Sequence, residues 1–261
     1  MTTTTSPSEW ASESGHWYTR TGEPRYTVIG ANGKERDTTL RDARKLSLLP
    51  SVTGVIRCAA APGLEVWKQR QVLLAALTLP RRIDEAEEPW LGRVMVDSRE
   101  TARRAAEDGQ SIHGAIEEHF RGKPPPRHQS HVAGLLAALA GWCGPQEWLP
   151  EKAFANTAFG YGGRLDLHSV EWLWDYKTKE FDASSPPEIY DDHLMQLAAC
   201  LAGTTGWGKR AGIAFISRTV PGLTVLTEAS EADLARGWGM FRALTDYWWA
   251  KNESREYRRF G

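Results

Sequence analysis

The segment Gly160 to Thr178, Gly-Tyr-Gly-Gly-Arg-Leu-Asp-Leu-His-Ser-Val-Glu-Trp-Leu-Trp-Asp-Tyr-Lys-Thr, limits this chain more than any other. It reads as two strand-like runs around a short turn. The first, over 159–168, carries Asp166. The second, over 171–178, carries Asp175 and Lys177. Side chains alternate along a strand, so Asp175 and Lys177 share a face, and a hairpin brings Asp166 beside them. Two carboxylates repel each other, and a bound divalent cation resolves the repulsion. A lysine beside that cation positions or activates a water, which is a plan for metal-assisted hydrolysis of a phosphodiester. The plain alternative for Asp-x-Lys is a solvated ion pair of little energetic worth. Context favours the chemical reading. The tripeptide closes a hydrophobic strand, follows a glycine-rich strand that ends in Asp, and precedes an amphipathic helix containing Gln196.

Gly-Gly-x-x-Asp, then Asp-Tyr-Lys-Thr, then a helix with a glutamine resembles the PD-(D/E)xK nuclease superfamily. Within it the pattern is similar to RecB-like exonucleases, including the mitochondrial genome maintenance exonuclease and phage exonucleases. The resemblance spans Gly109 to Ser217, with a weaker echo in Leu49-Pro-Ser-Val-Thr-Gly-Val-Ile56. Gly109-Gln-Ser-Ile-His113 matches the histidine that such enzymes carry on an upstream helix, and Glu117 follows one turn later. On this resemblance the fold is α/β, a restriction-endonuclease-like core with a mixed central sheet flanked by helices and an N-terminal helical and hairpin extension. The activity is metal-dependent DNA exonuclease, acting on ends or single strands, in a phage or recombination and repair setting with a partner protein. Mg2+ or Mn2+ would be held by Asp166, Asp175, the Tyr176 carbonyl and His113. Lys177 would orient or deprotonate the attacking water, and Gln196 would hold Lys177 or the nucleophile.

The chain departs from the family in three places. Leu165 stands where the superfamily's proline would be. Cys200 occupies a position, four after the glutamine, where relatives often carry a DNA-contacting tyrosine. Three cysteines cannot build the four-cysteine iron–sulfur cluster of some RecB-like members. A site-cutting endonuclease of the same superfamily, and a non-catalytic DNA-binding or assembly module on the same fold, are the competing readings. The intact Asp166–Asp175–Lys177 set argues against the second of these.

Composition sets the bounds. With 261 residues, 41% hydrophobic and 25% charged, the chain suits one large soluble domain or a core with a subdomain. Its formal net charge of −1 restricts any DNA-binding surface to a local basic patch. Cys58, Cys143 and Cys200 form no Cys-x-x-Cys pair, so neither a zinc ribbon nor a disulfide framework is signalled, and a reducing, cytoplasmic setting is expected. The polar N-terminus is no signal peptide, no apolar run reaches the length of a membrane span, and no phosphate-binding Gly-x-x-x-x-Gly-Lys loop is present.

Along the chain, residues 1–15 are expected to be disordered, 16–96 to form a hairpin and helical subdomain, and 97–261 to form the nuclease core. Tyr18, Tyr26, Val28 and Ile29 around Ala31-Asn-Gly33 suggest a hairpin. A helical region should run from Pro50 toward Leu79, and Pro80 with the acidic run 84–88 should connect it to a long helix over 97–121. On that helix His113 and Glu117 are four apart, hence on one side. Further expectations are a helix over 131–142, a first strand over 148–155 with Glu151 near its start, a helix over 190–202, strands over 211–218 and 223–227, and a last helix opened by Ser230. On the 190–202 helix Leu194, Leu197, Ala198 and Leu201 should form the buried stripe, with His193, Gln196 and Cys200 on a neighbouring face.

Overall fold

The computed structural model describes residues 16–204 and 206–260; the segment 1–15, expected to be disordered, lies outside the described residues. A five-stranded mixed sheet organises the molecule, in the order β5 (Leu149–Asn156), β6 (Tyr161–His168), β7 (Trp172–Lys179), β8 (Arg210–Ser217) and β9 (Thr224–Glu228). Neighbouring strands run antiparallel except β7 and β8. A parallel pair needs a crossover, and α6 (Asp191–Gly203) supplies it.

Helices cover both faces. On one face α6 and α7 (Glu231–Asn252) pack on Leu173, Ala211, Ile213 and Phe215. On the other, α4 (Glu87–Phe120) and α5 (Gln129–Cys143) pack on Leu167, Trp174, Tyr176, Ala214 and Ile216. Both clusters are closed by aromatic side chains: Trp172 stacks on Trp174 with centroids 5.2 Å apart, and Trp249 donates to the Gly160 carbonyl at 2.7 Å. Because α6 lies between the sheet and α7, it is buried nearly all round. His193 and Cys200, expected on a neighbouring face, are as buried as Leu194.

The N-terminal region differs from its expected form at several points. β2 (Thr27–Ile29) and β3 (Glu35–Asp37) make the hairpin around Gly33, whose φ of +72° suits glycine. Trp17–Tyr18 (β1) instead pairs with Leu49–Pro50 (β4), a contact across more than thirty residues that no local pattern encodes. Between β3 and β4, α1 (Leu40–Leu46) is opened by a Thr39–Asp42 capping box. The helical region after Pro50 is two helices, α2 (Val52–Ile56) and α3 (Pro62–Thr78). Ser51 caps α2 by accepting from the Gly54 amide at 2.9 Å, and Pro62 opens α3, where its missing N–H costs nothing. The long helix α4 begins at Glu87, ten residues earlier than its periodicity suggests, and runs unbroken past 96/97. Part of the acidic run read as a connection is its first turn, where Glu87 and Glu88 face the positive end of the helix dipole and Pro89 is tolerated. Among the described residues, no helix is long and apolar enough to cross a membrane.

Candidate active site

Asp166 lies where the hydrogen-bonded ladders on both sides of β6 are interrupted. Toward β7, pairing covers only Leu167 with Trp174 and His168 with Leu173. Toward β5, Pro150 pairs with Leu167 and Lys152 with Leu165, while Glu151 between them has a left-handed φ of +40° and is unpaired. Leu165 and Leu167, which a flat strand would place together, enter different core clusters. The strand therefore twists at Asp166. In place of a ladder bond, the Asp166 carboxylate accepts from the Tyr176 amide at 2.8 Å.

Asp175 and Lys177 share a face of β7 as alternation requires; Asp175 is buried and Lys177 is half-buried. Asp175 is 5% exposed. The Lys177 ammonium lies 2.5 Å from Asp175 Oδ2 and donates to Gln196 Oε1 at 2.9 Å, while Gln196 Nε2 donates to Asp175 Oδ1 at 2.5 Å. The glutamine thus clasps both members of the ion pair, its amide nitrogen on the carboxylate and its carbonyl on the ammonium. Asp175 Oδ2 meets the Lys177 ammonium and Oδ1 the Gln196 amide, so both carboxylate oxygens are engaged. Burial pushes the Asp175 carboxyl up against the pull of Lys177. Burial lowers the affinity of Lys177 for its proton, but Asp175 and Asp166 outweigh it and hold the ammonium above the ordinary lysine range.

His113 comes to the site on α4, more than fifty residues before Asp166. Its Nδ1 is 4.0 Å from Asp166 Oδ2, and its ring meets the Tyr176 ring edge-on at 5.6 Å. Gly109, one turn earlier, makes that approach possible. A Cβ there would lie 2.6 Å from Thr178 Oγ1 on β7. All six residues singled out in the sequence, His113, Asp166, Asp175, Tyr176, Lys177 and Gln196, are therefore gathered around β7 by α4, β6 and α6. Among the described residues, no set of three or more His, Cys, Asp and Glu side chains is gathered tightly enough to form a ready metal cage. The donors consist of two carboxylates, with an imidazole bordering one of them.

Sequence reasoning missed the neighbours of Glu151. Arg164 pairs with it at 2.9 Å and Arg121 at 3.5 Å, and Arg121 also pairs with Glu117. Burial pushes Glu151 up to about 7; Arg164 opposes the shift and the adjacent Glu117 carboxyl adds to it. Arg164 stands two residues before Asp166 in the Gly-Gly-Arg-Leu-Asp run, so it could have been singled out. Arg121 could not, because it arrives on another helix. Cys200, at the position where relatives carry a tyrosine, lies fully buried and has no surface with which to touch a ligand.

No protein-family model matches the chain, and no curated protein matches it. Among solved structures it is similar to the crystal structure of SSO0001, at 21% identity with a TM-score of 0.24, over 44% of this chain and 56% of that one. The match spans little more than half of that protein's length, and a likeness at this level carries no argument about fold or chemistry.

Proposed function

We propose that this chain is a metal-dependent deoxyribonuclease with a restriction-endonuclease-like core of the PD-(D/E)xK type, acting as an exonuclease on DNA ends or single strands. The observation that carries the reading is the buried Asp175 carboxylate, next to Asp166 and held in the Lys177–Gln196 clasp. A buried carboxylate paired to a lysine is costly in a fold that needs it only for stability. The donor set fits a hard divalent cation such as Mg2+ or Mn2+, which takes oxygen ligands and completes its shell with water and substrate phosphate. Asp166, Asp175 and the Tyr176 carbonyl would hold it, with His113 at the border of that shell. Such an ion, when bound, supplies Lewis acidity and lowers the pKa of water.

The chain's own residues do the rest. Lys177 is ion-paired and therefore enters as an ammonium. Of the two roles open to it, orienting the water and neutralising charge on the phosphate suit it better than removing a proton. Gln196 fixes the Lys177 rotamer and is a positioning residue. The deciding experiment follows end-labelled linear single- and double-stranded DNA with Mg2+, with Mn2+ and with chelator. Metal-dependent release of nucleotides from ends is expected. Cutting of closed circles would favour the endonuclease reading, and binding without cleavage under every condition would sink the assignment as an enzyme.

A further inference from the structure

The end of β7 and the start of α6 place an aromatic ring and an unpaired ammonium beside the carboxylates. Lys179 lies two residues beyond Lys177 on the same face of β7, roughly 6.6 Å further along the strand. Its ammonium is 4.9 Å from the centroid of the Tyr190 ring and 5.3 Å from that of Phe215, which stands opposite Lys177 on β8. Among the described residues the Lys179 ammonium has no hydrogen-bond or ion-pair partner, whereas Lys177 has both. Tyr190 is the N-cap of α6. Its amide donates to Nδ1 of the buried His193 at 3.1 Å, and the two rings are 5.7 Å apart. The helix end is pinned in this way and the ring is held over Lys179, yet Tyr190 is 56% exposed. One face of the ring meets a cation, and the other is open.

We infer that Tyr190 and Lys179 form a subsite for an unpaired nucleobase and its phosphate, next to the bond to be cut. The inference rests on the reading of this site as one that takes a DNA strand, and not on the cleavage step. Every base has a π-face, so stacking on an aromatic ring is indifferent to sequence. Inside a duplex those faces are covered by neighbouring base pairs, so the subsite admits a single strand or a frayed end. Two ammonium groups spaced by two strand residues suit consecutive phosphates of an extended strand, with Lys177 at the scissile group and Lys179 at the next. The protein leaves Lys179 available for this. Asp191 is paired with Arg236 and Glu180 with Arg218, while the exposed Asp192 acts on both lysines only through its field. An exposed tyrosine is ordinary by itself. Tyr247 on α7 is one, 53% exposed with Lys251 6.0 Å from its ring centroid. Tyr190 differs in its place: Gln196, which clasps Asp175 and Lys177, is six residues along the same helix, about 9 Å away on its axis.

Two measurements on the full chain test it: steady-state cleavage of a single-stranded oligonucleotide with Mn2+, and its equilibrium binding with chelator present. Tyr190→Ala should raise KM and weaken binding at least ~5-fold with little change in kcat. Tyr190→Leu, which keeps an apolar side chain at the helix end, should do the same. Tyr190→Phe retains the π-face and should stay near wild type. Lys179→Gln should flatten the slope of log binding against log salt by about 0.7, the share of one phosphate contact on a single strand. Tyr247→Ala should alter none of these. Unchanged KM and binding in a folded Tyr190→Ala or Tyr190→Leu protein that still cleaves overturns the subsite and leaves the nuclease reading standing. So does an equal loss in Tyr190→Phe or Tyr247→Ala, or an equal weakening of binding to blunt duplex. Single-strand binding that Tyr190→Ala weakens, in a protein that cleaves nothing, keeps the subsite and removes the nuclease. A wild-type protein that neither binds nor cleaves the oligonucleotide overturns both.

Discussion

Two pairs of carboxyl groups lie close together in this molecule, and their surroundings differ. Glu117 and Glu151 meet between Arg121 and Arg164, on side chains that still reach water. Their repulsion is relieved by two guanidinium groups and by a proton that Glu151 holds up to about 7. Asp166 and Asp175 are matched by a single ammonium and a neutral amide, and Asp175 is buried. The glutamate pair is neutralised by the protein itself, so it is complete without a ligand. The aspartate pair is not, and the proposed metal role rests on that difference. Proximity of carboxylates alone would not have separated the two.

Mutation of each pair should break or sharpen that contrast. The largest effect is expected at the aspartate pair. Lys177→Ala, and equally Lys177→Arg, whose planar fork cannot take the place of the clasped ammonium, should lower metal-dependent cleavage about 10³-fold or more with the fold intact. Glu151→Gln should stay within about tenfold of wild type. Near wild-type turnover in a folded Lys177→Ala protein would falsify the role given to it.

Asp166→Asn and Asp175→Asn should each weaken Mn2+ binding by at least the ~10- to 100-fold that loss of an outer-shell partner costs at metal sites, as measured by calorimetric titration. The metal-free Asp166→Asn protein should melt no lower, since one of two repelling charges is gone, whereas Asp175→Asn should melt lower because it leaves the Lys177 ammonium without its partner. Unchanged affinity in both variants would mean that the aspartates are as self-contained as the glutamates. His113→Ala should follow with roughly a tenfold loss of cleavage per folded molecule. Full specific activity with a lowered melting point would reduce His113 to packing against Tyr176.

The smallest effect concerns Glu151 and pH. An unfolded glutamate releases its proton at about 4.3. In the fold the value rises to about 7. Between the two the native chain holds more protons than the unfolded one, so this group makes stability fall as pH rises from about 4.3 to about 7 and leaves it level above. Glu151→Gln cannot ionise and should remove that contribution. Urea midpoints of both proteins at about pH 5 and about pH 8 give the comparison, and an identical slope in the variant would show that the glutamate pair does not hold the proton.

Much of the aspartate site was legible because its parts are local. Asp166, Asp175 and Lys177 fall in one hairpin of period two, and Gln196 falls on the helix that follows. His113 was legible only through resemblance, since nothing in a helix period indicates which strand the helix will meet. The glutamate pair was unreadable for the same reason. Glu151 depends on a left-handed backbone angle, and its partners come from β6 and α4. The early start of α4 was hidden because the acidic run after Pro80 looks like a connection until Glu87 and Glu88 are recognised as a first turn. β1 was misassigned because Trp17 and Tyr18 choose β4 over the nearer β2.

The close seat of Gly109 on Thr178 has a mechanical consequence. α4 is one rod of 34 residues, about 50 Å long, held to the sheet where a glycine lets it touch. Val94, packed toward α3, and His113, beside Asp166, ride on that same rod. Enlarging the seat with Gly109→Val would lift the rod off its fulcrum, and the imidazole would swing away from Asp166 although no group near the carboxylates had been altered.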